Sequence, residues 1–299
     1  MKAGAFVLSV LLMAGGMPAA AETPSENVTV TATRSREVLG KFTKAFATPT
    51  EVTGKMARWE RRVCPVVVGQ NARYTTFITQ HIKYVALAAG APVNTEASCR
   101  PNIEIVFTTT PQALLDAVRK DDPIYLGYAA TSAQEDALAT VTRPIQAWYT
   151  TETVDLKGIR AVDSGLPQGE GVQIQRDPPV YVQRVTASNG NHIDEGIHTG
   201  FNHILIVIDS ARVAGQDIVP LADYISMLAL TQLGSLDACQ ELPSVVNILA
   251  PNCGHAADGI TQFDLAYLQG LYKMGAGRSL MLQRNAIADA MTDTLAKAK

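Results

Sequence analysis

Residues able to hold a metal crowd one stretch of this chain. His192, His198 and His203 stand with Asp194 and Glu195 in a glycine-containing segment, and imidazole and carboxylate groups bind transition metals. Their intervals of six and five residues do not set two histidines on one helix face. The spacing favours a polar loop leading into a strand, with the three histidines as a weak alternative ligand set. His81 falls at the polar boundary of a helix and is expected to be solvated. No G-x-S-x-G elbow offers a serine nucleophile, and neither a phosphate-binding nor a dinucleotide-binding glycine pattern occurs. The acidic pairs Asp121-Asp122 and Asp194-Glu195 read as turn or surface residues, although glycosidase acids can stand far apart in sequence. Trp59 lies among Arg58, Arg61 and Arg62. It either makes a surface patch with them or anchors the first strand beside solvated or paired arginines.

Four cysteines, Cys64, Cys99, Cys239 and Cys253, permit three disulfide connectivities. Nearness in sequence favours Cys64–Cys99 and Cys239–Cys253. A four-thiolate metal site is the alternative, but no C-x-x-C half-site is present. An even cysteine count suits an oxidising compartment, and the N-terminus agrees. Lys2 precedes the apolar run Ala3–Met13, too short to span a bilayer, and Ala19-Ala20-Ala21 follows as a cleavage pattern. Residues 1–21 therefore read as a signal peptide, cut after Ala21 to give a periplasmic or secreted protein. Residues 22–56 read as a flexible lead-in, with one strand at Val28–Thr33, and 57–299 as a single α+β domain.

The elements follow from periodicity. Residues 74–89 carry apolar positions at helical spacing and end at Gly90. Asn102–Thr108 alternates as a half-buried strand does. Pro111 opens a helix. Residues 123–128, 140–150 and Val180–Val185 read as strands. His203–Asp209 is nearly continuous apolar sequence, fit for a sheet interior. Helices are expected at 219–234, after Thr261 and over 278–296. With 299 residues, 47% of them hydrophobic, the chain has ample mass for a core and is not intrinsically disordered. A net charge of −3 without a basic run argues against a nucleic-acid surface. No later stretch is long and apolar enough to cross a membrane.

The order of the second half resembles the catalytic half of the zincin metallopeptidases, especially the matrixin-like metzincins. A half-buried strand, an edge-like strand and a buried strand lead to an apolar helix ending in Leu233-Gly234. Ser244-Val245-Val246 stands where that family has an S-x-M turn. Asp264-Leu265-Ala266-Tyr267-Leu268-Gln269-Gly270-Leu271-Tyr272 resembles its closing helix. The chain also resembles an uncharacterised family of bacterial envelope proteins with a zincin-like core. The family's H-E-x-x-H-x-x-G, aligned on Gly234, sets Met227 and Thr231 at the histidine ligands and Leu228 at the general base. Asp237 takes the third-ligand place and Val246 the turn methionine. Two imidazoles one turn apart and a carboxylate base make that chemistry, and here both imidazoles and the base are absent. The resemblance therefore implies a zincin-like fold without catalytic residues, without metal or other cofactor, binding a protein or peptide partner. The alternative is a metal-dependent hydrolase with non-standard ligands, namely His192, His198, His203 or Asp237. A core helix of an unrelated α+β fold is the plain reading of 219–234.

Overall fold

A computed structural model describes residues 32–164 except 97, 173–174, 180–181, and 196–297 except 235, 251–252 and 254–256. Leu39, Phe42 and Phe46 recur at helical spacing in an otherwise polar stretch, and they fold it. Helix α1 (Ala32–Phe46) lays these three against α7 (Leu280–Lys297) and the ring of Tyr267. The expected flexible lead-in over 22–56 is thus corrected from Ala32 onward, because apolar burial outweighs the polar composition. Ala32 and Thr33 are helical, not strand; Val28 to Thr31 lie outside the described residues, as do the expected signal segment and His192.

One mixed sheet organises the rest, in the order β2-β3-β8-β4-β5. Strands β2 (Pro65–Val68), β3 (Ile103–Thr108) and β8 (Ile197–Asp209) run parallel, while β4 (Ile145–Asp155) runs antiparallel to β8 and to β5 (Arg160–Val162). The two-residue β1 (Ala57–Arg58) pairs with Thr199 and Gly200 on the edge of β8 that β3 leaves free. Strands β6 (Gln173–Ile174) and β7 (Val180–Tyr181) pair separately; residues 182–185 of the expected strand are outside the description.

A bulge sets the character of the sheet. Thr150 faces His203 and Thr151 faces Phe201, so Asn202 has no opposite residue. Side chains alternate along a strand, and one extra residue reverses the alternation. Phe201 therefore shares the main core with Ile204, Ile206 and Ile208, while Leu205 and Val207 enter a smaller core on the opposite face. Over the main face lie α2 (Ala72–Ala89), α5 (Ile218–Leu230), α6 (Gln262–Lys273) and α7. Over the other lie α3 (Pro111–Asp121), the 3-10 turn Pro123–Leu126 and α4 (Ser132–Leu138). The expected strand over 123–128 is that turn, begun by Pro123. From Ala32 the chain is one α+β unit. Among the described residues no helix is long and apolar enough to cross a membrane.

Local capping explains the better-predicted ends. Asn71 accepts hydrogen bonds from the Arg73 and Tyr74 amides at the start of α2, and Gly90 closes it in the left-handed region at φ 83°. Thr261 and Asp264 form a reciprocal capping box on α6. Burial raises the Asp264 carboxyl above its ordinary value, although bonds from Ser244, Val245 and Thr261 pull the other way.

Disulfides join Cys64 to Cys99 and Cys239 to Cys253, with Cα atoms 6.2 and 5.3 Å apart. The second closes a short loop over the 3-10 segment Val245–Leu249. Replacing Cys239 and Cys253 by Ser should lower stability by about 3 kcal/mol, seen as a lower urea midpoint. Non-reducing peptide mapping should recover both linked pairs; a Cys64–Cys239 peptide would contradict the geometry.

Candidate functional site

Helix α5 stops four residues short of Gly234. Thr231 is already extended, with φ −151° and ψ 145°, so the expected helix over 219–234 is corrected at its end. Gly234 has a packing role of its own: a Cβ there would lie 2.7 Å from the Ala45 carbonyl oxygen and from Thr48 Oγ1. Met227 and Leu228 are wholly buried and Thr231 is 1% exposed.

The last carbonyls of a helix lack partners within it, and in α5 they point into the core. Three aromatic donors from distant parts of the chain satisfy them. Tyr149 Oη donates to the Leu228 and Thr231 carbonyls at 3.1 and 3.2 Å. Trp59 Nε1 donates to Ala229 at 2.7 Å, and Tyr272 Oη to Leu230 at 2.9 Å. Burial pushes both phenols far above their ordinary range, so they remain neutral donors. Thr231 Oγ1 lies 3.3 Å from Tyr267 Oη. Val246, which the resemblance sets at the turn methionine, is also buried. Asp237 is exposed and turned away, gripped by the Nε and Nη2 of Arg143, which hold its carboxyl below the usual range.

A catalytic zinc requires three protein ligands. The end of α5 offers a thioether, an alkyl chain and a hydroxyl, with Asp237 committed elsewhere. These donors do not fit the ion. Among the described residues no group of three or more His, Cys, Asp or Glu side chains could hold a metal. Of the alternative histidine set, His192 lies outside the described residues, and the other two stand apart. His198 pairs with Glu60 at 2.9 Å and His203 stands 3.4 Å from Glu104, beside the Tyr125 ring. The Asn202 bulge lies between them, and the two serve different partners.

The polar end of the sheet is organised differently. Register places Glu152 beside Gly200 on one side, and Arg58 beside Gly200 on the other. Glu152 is 0% exposed. Arg61 holds it by a fork, Nε to Oε1 at 3.1 Å and Nη2 to Oε2 at 2.7 Å. Arg160 Nη1 donates to Oε1, and Asn202, the bulge residue, donates its amide to Oε2 at 3.3 Å. Arg160 Nη2 continues to Glu60 at 3.0 Å, and Glu60 meets His198. The result is one chain of paired side chains: Arg61, Glu152, Arg160, Glu60, His198. A cleft of ≈ 480 Å³ opens beside it, lined by Arg58, Glu60, Val154, Arg160, His198 and Gly277 among others.

Burial alone would raise the Glu60 carboxyl, but the bond and charge of His198 and the charge of Arg160 hold it below its ordinary value. Burial would lower Arg160, but bonding and charge from Glu152 raise it. Burial prevails at Arg58 and lowers it, although Glu60 and Tyr272 oppose the shift. For Glu60 the linkage sign is definite. A carboxyl lowered in the folded state adds stability above its unfolded pKa and loses it as pH falls through the folded value. Glu60→Gln should therefore flatten the acid side of a plot of melting temperature against pH. A steeper acid side would contradict the pairing.

Sequence reasoning missed this network. The only local sign was a glutamate inside the strand-like run Trp148-Tyr149-Thr150-Thr151-Glu152-Thr153-Val154. The expected solvation of His81 is also corrected: its Nε2 lies 2.5 Å from Asp223 Oδ1, and Asp223 also accepts from the Ile260 amide at 2.9 Å. Phe77 stacks on the imidazole. Trp59 has the second of its two expected roles, buried in the core with Arg61 paired.

Comparison of the chain with protein-family models, with curated proteins and with solved structures gave no match.

Proposed function

We propose that this chain is an exported, zincin-like protein that binds a peptide or protein partner and has no peptidase chemistry of its own. The observation that carries this reading is the closed end of α5. Met227 and Leu228 fill the place of a ligand and a base, and Trp59, Tyr149 and Tyr272 seal the helix terminus where the resemblance puts a metal-bound water. The order β3, antiparallel β4, buried β8, α5, Ser244 turn and α6 supports the zincin-like part. Two disulfides support export. The open cleft with its charged wall supports binding.

Elemental analysis after gel filtration, joined to a peptide-library cleavage assay, tests the proposal. The expected result is no stoichiometric zinc and no cleavage. One zinc per chain, with cleavage abolished by Asp237→Ala, would overturn it in favour of a hydrolase with non-standard ligands.

A further inference from the structure

Arg58 is a partly buried guanidinium held in one orientation. Its Nη1 donates to the carbonyls of Leu271, Tyr272 and Met274, at 3.3, 3.1 and 2.7 Å, around the C-terminus of α6. A cation at that end of a helix is favoured. These bonds use one corner of the group. The opposite edge, Nε with Nη2, has no hydrogen-bond partner among the described residues, and Arg58 lines the cleft. That edge is the one Arg61 sets against Glu152 and Arg143 against Asp237 in this same molecule. Its two parallel donors match the two oxygens of a carboxylate.

Neither carboxylate in the cleft wall fills this fork. Glu60 is engaged by His198 and Arg160, and Asp155 Oδ1 accepts the Lys157 and Ile159 amides of its own turn at 2.8 Å each. The opposite wall is firm. Lys55 Nζ donates to the Gly277 and Arg278 carbonyls at 2.6 and 3.1 Å, and Gln283 Nε2 donates to Ala276 at 2.7 Å. Val154, Leu156 and Ala276 add apolar surface beside the charged groups. A preset donor fork next to apolar walls lowers the ordering cost of binding. The ion network behind it is weak evidence for stability, since buried pairs are often replaceable by apolar groups.

We infer that this cleft binds a carboxylate through the Nε and Nη2 edge of Arg58, the carboxylate being that of a peptide C-terminus or of a free small acid. The inference rests on the binding reading above and gives it a site. NMR of the ¹⁵N-labelled full chain follows the Arg58 Nε–H signal, assigned by its loss in Arg58→Lys. The probes are random acetylated tripeptides with a free C-terminus, the same tripeptides as C-terminal amides, and succinate. The free acids should shift the signal and the amides should not, a comparison made on the unaltered chain. Arg58→Lys should weaken binding about tenfold or more, as loss of a charge-assisted fork requires. Succinate acting without the peptides would uphold the carboxylate site and overturn the peptide reading. Amides binding as well as acids, with the Arg58 signal unmoved, would overturn the site and leave the binding reading standing. Silence from every probe would overturn both.

Discussion

Leu228→Glu should abolish most of the folded population. Leu228 is 0% exposed in a helix whose residues from Leu221 to Leu230 are all buried. Loss of its packing costs about 2–5 kcal/mol. A carboxylate at that place would be buried without a cation, adding several kcal/mol more. Native proteins hold only about 5–15 kcal/mol in reserve, so the sum exceeds or exhausts it. Circular dichroism and a thermal melt check this, with Leu228→Met as the volume-conserving control, costing under about 1.5 kcal/mol. A glutamate variant that melts like the parent would mean that this position faces a wet cleft. The pseudopeptidase reading would then lose its main support, because a general base in the zincin arrangement would stand at this position.

Trp59 is the second position where one change should be severe. Its ring is 1% exposed, lies 5.5 Å from that of Phe201, and its indole N–H caps Ala229. Trp59→Ala should cost about 3–5 kcal/mol through the cavity alone. Trp59→Phe keeps much of the volume but leaves the Ala229 carbonyl without its donor, costing about 1–3 kcal/mol. Urea midpoints with unchanged m-values measure both. If the phenylalanine variant matches the parent, the indole bond does not hold the helix end, and the sealing of α5 rests on Tyr149 and Tyr272.

Features that depend on near neighbours were legible in the amino-acid order. The period of Phe77, Ile78, Ile82 and Val85 with the stop at Gly90 is enough to write α2, and Thr261 with Asp264 is enough to begin α6. The alternation of β3 and the apolar run of β8 identify half-buried and central strands. The α+β class follows from their mixed order, and the two cysteine pairs from their nearness along the chain. Leu39, Phe42 and Phe46 also carried a legible signal for α1, hidden by the polar residues between them.

The end of α5 was set by long-range packing, because its terminal carbonyls are capped by Trp59, Tyr149 and Tyr272, residues 170, 79 and 42 positions away. Such packing also set the polar cleft. Arg61 reaches Glu152 across 91 positions and Arg160 reaches Glu60 across 100. Their meeting depends on the register of β1, β4 and β5 around β8, and on the bulge at Asn202 that aims an amide at the same carboxylate. Helical period and strand alternation are local properties, repeated every few residues. Charge pairing across a sheet depends on which strands lie side by side, and the burial of the whole core sets that arrangement.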